Sequence, residues 1–215
     1  MVNLRRRTMV QKEGSSPRLP AAYQEVQYIN SVSRSYINLG TKSWSEPGFV
    51  CDFLMTKRNN QYGPHIISSA PDNYLWLVPR SYGSNSVVSY LGKQTSGFTP
   101  VFPLNKRCVA TFNINRDLAF YAEWDGGSSS GTVTTTGTVT SATVYFFAYG
   151  GQLSSTYYNL VGQCFSIKIY DEGVLVEDYV PCYRKSDNKA GLYEIIGNNF
   201  YTSAGSGNFT AGPNV

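Results

Sequence analysis

From Tyr23 onward the chain is cut into short runs by turn residues about every 8–14 residues, and no stretch of useful length repeats at the helical period. This spacing constrains the fold more than any other feature. Runs of this length suit strands, and many of them in succession build a two-sheet sandwich or a barrel. Residues 49–55 show the pattern most cleanly. Phe49, Cys51, Phe53 and Met55 fall on one side, and Val50, Asp52 and Leu54 on the other. Cys108, Ala110, Phe112 and Ile114 alternate in the same way within 107–114, as do Leu118, Phe120, Ala122 and Trp124 within 118–124. Composition agrees, because 20 Gly, 17 Tyr and 11 Phe favour strands joined by tight turns. Charged residues are only 15%, too few for a solvated disordered chain or a long coiled coil.

Further strands are predicted at 25–29, 36–39, 65–68, 74–78, 87–91, 143–148, 164–170, 174–179, 191–196 and 199–202. Asp171-Glu172-Gly173 supplies a tight turn, with Gly where φ must be positive. Ile167, Ile169, Leu175 and Tyr179 are expected to fill the space between sheets, with Lys168 and Glu177 in water. The Gly/Ser/Thr stretch from Gly126 to Thr140 reads as a long hairpin or a loop, and one helical turn is allowed near 154–159. The fold class is therefore all-β, a two-sheet antiparallel sandwich over 19–215, preceded by an extended N-terminal arm over 1–18.

The charge sits in that arm. Arg5, Arg6, Arg7, Lys12 and Arg18 against Glu13 account for the whole net charge of +4, and the remainder is neutral. A basic arm on a neutral body reads as an interaction tail, with Arg5, Arg6 and Arg7 as docking residues for acidic groups. Three arginines without interleaved aromatics offer too few phosphate contacts for nucleic acid to be the expected partner. No apolar run is long enough for a membrane helix, and the first 20 residues contain no apolar core of a signal peptide. Synthesis in a reducing compartment is therefore expected, with the four cysteines as buried free thiols.

Motifs for chemistry are sparse. Cys51, Cys108, Cys164 and Cys182 form no C-x-x-C pair, and His65 is the only histidine, which argues against zinc. Glu123 and Asp125 flank Trp124 at a turn and lack the Glu-x-Asp-x-Glu pattern of a sandwich glycosidase. Gly127-Ser128-Ser129-Ser130-Gly131 has the letters of a nucleophile elbow but no following helix and no later His, so it reads as a loop. No calcium loop signature occurs, although calcium held by scattered carboxylates would leave none. The expectation is a protein that is not an enzyme and needs no cofactor.

The C-terminal third carries a resemblance. Phe165-Ser166-Ile167-Lys168-Ile169-Tyr170-Asp171-Glu172-Gly173-Val174-Leu175-Val176 resembles the last hairpin of a concanavalin A-like, laminin-G-type lectin domain. With Asp178-Tyr179-Val180-Pro181-Cys182-Tyr183, Gly191-Leu192-Tyr193 and Phe200-Tyr201-Thr202-Ser203-Ala204-Gly205-Ser206-Gly207, it is similar to a tail of structural proteins of bacteriophages and prophages of gut bacteria. Leu19-Pro20-Ala21-Ala22-Tyr23-Gln24-Glu25-Val26 and Tyr36-Ile37-Asn38-Leu39-Gly40 resemble the opening strands of the same group.

The resemblance implies a jelly-roll sandwich of the concanavalin A-like type as the body of a virion structural protein, such as a capsid decoration, head-fibre or tail-fibre component. It would be made in the host cytoplasm, anchored by its arm to other virion proteins, and homo-oligomeric. The alternative is a carbohydrate-binding module for adhesion to cell-surface glycans. Its candidate stacking residues are Trp44, Tyr62, Tyr82, Trp124, Tyr157 and Tyr158. Aromatics on strands are more often core than platform, which weighs against Trp76 and Trp124.

Overall fold

A computed structural model of the chain describes residues 18–57, 65–70, 75–78, 87–90, 93–94, 102–132, 139–149 and 159–215; within these, side chains at 70, 75, 76, 78, 87–90, 93, 94, 139 and 140 are not described. None of the described residues is in a helix. The strands are β1 Tyr23–Glu25, β2 Ile29–Ser31, β3 Ile37–Trp44, β4 Pro47–Met55, β5 Ile67–Ala70, β6 Leu75–Val78, β7 Val87–Tyr90, β8 Lys93–Gln94 and β9 Arg107–Phe112. They continue as β10 Ala119–Trp124, β11 Gly127–Thr132, β12 Val139–Phe146, β13 Gly162–Asp171, β14 Val174–Arg184, β15 Lys189–Glu194, β16 Asn199–Thr202 and β17 Thr210–Ala211.

They form two antiparallel sheets. The large one runs β11-β10-β9-β4-β13-β14-β15-β16, with β1 on β14 and β2 between β13 and β17. The small one runs β3-β12-β5-β6-β7-β8. The alternation read from residues 49–55 decides which face of β4 is buried: Phe49, Cys51, Phe53 and Met55 are all sealed from water. They meet Cys108, Ala110 and Phe112 of β9, Phe120 and Ala122 of β10, and Ile167 and Ile169 of β13. Ile37, Leu39, Val144 and Phe146 close the core from the small sheet. The β9 alternation ends before Ile114, because Asn113 turns the chain at φ 49 and donates its side-chain amide to the Pro47 carbonyl.

Several expectations change. The run at 25–29 splits into β1 and β2, with Val26 bridging Asn214 instead. The run at 65–68 shifts to β5. The Gly127–Gly131 segment is a strand and not a loop, because the open edge of β10 supplies it with a hydrogen-bonding partner from Ala119↔Thr132 to Trp124↔Gly127. Leu175 does not face inward. The register passes from Ile169↔Glu177 to Tyr170↔Leu175, so a bulge at Val176 turns Leu175 to the outer face, where it is 36% exposed. Val176 takes its place against the core. Glu177 alternates regularly with Tyr179 and pairs with Ile169, which sets it on the inward register and not in water. The helical turn near 154–159 lies outside the described residues apart from Asn159, which bridges His65.

A second, smaller core lies apart from the main one. Leu19 packs on Val180, Cys182 and Tyr193, with Tyr23, Ile195 and Phe200 around them. Beside it Arg18 pairs with Glu25 at 3.4 Å. The turn between β13 and β14 has Glu172 and Gly173 at φ 50 and 78, the two positive angles of a two-residue hairpin turn. Asp171 braces it by accepting the Ser45 and Glu46 backbone N–H groups at 3.2 and 2.7 Å.

Candidate functional site

The side chains that β4 and its neighbours do not bury form the outer face of the large sheet. Strand register aligns Ser130, Tyr121, Thr111, Val50, Lys168 and Asp178 in one row across β11, β10, β9, β4, β13 and β14. The next row holds Ser128, Glu123, Val109, Asp52 and Ser166. Tyr121 stands out from this face at 37% exposure, and its hydroxyl donates to Glu123 Oε2 at 3.4 Å. Thr111 donates its hydroxyl to the Tyr121 carbonyl at 3.2 Å, which ties the two strands beneath the ring.

The cations of this face are already engaged. Lys168 Nζ donates to Asp178 Oδ2 at 2.7 Å. Arg107 forms a two-pronged pair with Asp52, Nε to Oδ1 at 2.7 Å and Nη2 to Oδ2 at 2.6 Å. That hydrogen bonding raises the guanidinium pKa above its usual value. The guanidinium also lies 4.0 Å from the centroid of the Phe165 ring. Phe165 reaches that position because a register shift between Cys164 and Ser166 bulges it out of the ladder.

The interior offers structure in place of reactive groups. All four cysteines are free and buried. Burial pushes the thiols of Cys108 and Cys182 up to about 12 and raises those of Cys51 and Cys164 as well, so none is poised as a nucleophile at neutral pH. Glu194 is buried but accepts backbone N–H groups from Asp178 and Ile196 at 3.2 and 2.8 Å, and one from Gly197, which makes it a turn brace. Among the described residues no cluster of His, Cys, Asp and Glu is arranged to hold a metal ion. Glu123 lies on the outer face and Asp125 in the turn beyond Trp124.

The expected stacking residues fare differently. Trp44 closes the end of β3 and is only 7% exposed within the main core, so it leaves no ring face for a ligand. The reason is that β3 runs five residues beyond the predicted 36–39, which carries Trp44 into register with Val139 of β12. Trp124 pairs with Cys108 on the inward side of β10. Its ring packs 5.8 Å from Phe102 and covers Gly127, where a Cβ would meet the indole Nε1 at 2.7 Å. Tyr62, Tyr82, Tyr157, Tyr158 and the docking residues Arg5, Arg6 and Arg7 lie outside the described residues, as does the Trp76 side chain. Tyr121 escaped the sequence reading, which followed the inward set of residues 118–124. Its signal was the complementary outward set, Ala119, Tyr121 and Glu123.

The tail motif is a packing device. A Cβ on Gly205 would stand 1.9 Å from the Arg34 carbonyl oxygen, and one on Gly207 2.4 Å from that of Ser33. Ala204 and Gly207 donate their N–H groups to the carbonyls of Tyr36 and Arg34 at 2.8 and 3.2 Å. This backbone-on-backbone seam fastens the C-terminal loop to the entry of β3.

No known family model matches the chain, and no curated protein matches its sequence. Among solved structures it is similar to a proposed carbohydrate-binding protein from Bacteroides ovatus, with a TM-score of 0.54 and 12% identity. That match covers 87% of this chain and 60% of the other. A heptameric SAP-like pentraxin from Limulus polyphemus also matches, with a TM-score of 0.47 and 14% identity, over 74% of this chain and 79% of that one. The antiparallel two-sheet layout and the Bacteroides likeness define the class: a jelly-roll sandwich of the lectin type. At 12% identity the likeness is one of fold.

Proposed function

We propose that this chain is a non-enzymatic carbohydrate-binding module. The observation that carries this reading is the lectin-type sandwich itself, shared with the Bacteroides protein described as carbohydrate-binding. The chemistry of the described residues supports it. The thiols are sealed, the buried carboxylate braces a turn, and the outer sheet face shows hydroxyls, an exposed tyrosine ring and paired charges. Such a surface suits recognition of polyols better than bond cleavage. The test is a glycan array probed with the protein displayed multivalently at physiological salt, with and without calcium. Selective binding to a sugar class supports the module, and no binding in either condition overturns it.

A second reading places the module on a virus particle as a decoration or fibre component. It is favoured by the sequence observation that residues 1–18 carry the whole net charge on a neutral body. In that setting Arg5, Arg6 and Arg7 dock the chain to acidic groups of a particle protein, and copies of the body associate. Deleting residues 1–18 would then abolish particle attachment while sparing glycan binding. Loss of both together would count against the division of labour between arm and body.

A further inference from the structure

We propose that Tyr121, with Thr111, Glu123, Ser128 and Ser130 around it, forms the stacking platform of a site for neutral hexopyranose chains. This rests on the carbohydrate-binding reading and gives it a place on the molecule. Among the described residues Tyr121 is the most exposed aromatic side chain, at 37%. It projects from the middle of strand β10 and not from a turn. The two strands flanking β10 put Ser130 and Thr111 on either side of it, each about 4.8 Å away along the row. Glu123 and Ser128 stand one row further on, about 7 Å along the strands. A pyranose ring laid on the tyrosine with its C–H face down would point its equatorial hydroxyls at these oxygens. The hydrogen bond from the Tyr121 hydroxyl to Glu123 holds the ring before any sugar arrives, which lowers the entropy lost on binding.

Charge selects the ligand class. Lys168 and Arg107, the cations on the same face, are each held by a carboxylate, Asp178 and Asp52. Glu123 has no cation partner among the described residues. A glycan lying over Tyr121 therefore meets an uncompensated negative charge, which disfavours uronic, sialic and sulfated sugars. Neutral chains pay no such penalty, and Glu123 accepts hydrogen bonds from their hydroxyls.

The experiment uses the full chain displayed multivalently. The probes are immobilised neutral hexaoses of glucose, mannose and galactose, and the anionic hexaose of galacturonic acid. The wild type is expected to bind at least one neutral probe and not the galacturonate. Tyr121→Thr, which keeps strand propensity, is expected to weaken that binding about ten-fold, the worth of one stacking contact. Tyr121→Trp retains it. Ser130→Arg leaves the ring in place but covers it, and is expected to give a similar loss even if the tyrosine variant proves unstable. Glu123→Lys is expected to admit the galacturonate. Neutral binding by the wild type that survives both Tyr121→Thr and Ser130→Arg overturns the platform and leaves the module reading standing. Binding of galacturonate in preference to every neutral probe overturns the ligand class alone. Absence of binding to all four probes overturns the platform as a neutral-hexose site, while the glycan array decides the module reading separately.

Discussion

The Tyr179 hydroxyl donates to Glu177 Oε2 at 2.6 Å, from two residues further along the same strand. The other oxygen of that carboxylate accepts Lys42 Nζ at 2.6 Å, and Lys42 belongs to the opposite sheet. Glu177 therefore ties the two sheets together at the rim of the core. Replacing it by Ala leaves a half-buried ammonium and a buried phenol without their acceptor. The expected cost is about 2–4 kcal/mol, measured by urea unfolding. Tyr179→Phe removes only one of the bonds and should cost about 1 kcal/mol. Equal stability of wild type and Glu177→Ala would show that the clasp contributes nothing.

The outward turn of Leu175 makes an inverted pair of predictions. Simple alternation would put Leu175 in the core, whereas the bulge hands that place to Val176. Val176→Ser is therefore expected to destabilise by about 1–3 kcal/mol, and Leu175→Ser to stay within about 0.5 kcal/mol of the wild type. Thermal unfolding of the two variants side by side separates the registers.

Backbone proximity sets a third comparison. Gly205→Ala drives a methyl group onto the Arg34 carbonyl, where the clearance is 1.9 Å, so the loop must move. A loss of about 2–4 kcal/mol is expected. Gly40 is the contrasting case, with φ +72 and nothing within 4 Å of an added Cβ. Gly40→Ala should cost only the left-handed backbone term, about 1 kcal/mol. Similar losses at both positions would remove the special status of the C-terminal seam.

The thiols give a pH dependence. Burial holds Cys108 and Cys182 up to about 12 in the native protein, against 9.0 for an unhindered thiol. Cys51 and Cys164 are raised by burial too, and the Tyr179 phenol by burial and then by Glu177. Below pH 9 both folded and unfolded chains keep these protons, so the stabilisation is fully present. Above it the unfolded chain releases protons that the native chain retains, and stability falls as pH rises toward 12. Each thiol adds a slope of up to about 1.4 kcal/mol per pH unit in that window. Urea midpoints measured from pH 7 to 11 should be flat and then decline. In the same samples a thiol reagent at pH 8 should label no cysteine in the native protein and all four in denaturant.

The local order of this chain was legible, and its pairing was not. Residues 49–55 announce a half-buried strand because side chains alternate at a period of two, a property of the backbone that needs no partner. Asp171-Glu172-Gly173 announces a hairpin turn for an equally local reason, the cost of positive φ at residues with a Cβ. The two-sheet sandwich follows from many such runs in succession. The site was far less legible. Trp44 looked like a loop aromatic until β3 proved long enough to carry it inside, and Tyr121 went unremarked because its strand was read for its inward residues.

Sequence alone thus determined the all-β class, the period of each long strand, the hairpin turn and the concentration of the net charge in residues 1–18. Tertiary structure decided what depends on a second strand. The open edge of β10 turned a Gly/Ser segment into β11, and one extra residue at Val176 turned Leu175 to the outer face. It also decided which face of β10 meets water, and so that Tyr121 stands exposed. Alternation is written in neighbours two residues apart. Register and bulges arise from partners tens of residues away, whose hydrogen bonds and buried area settle which face is which.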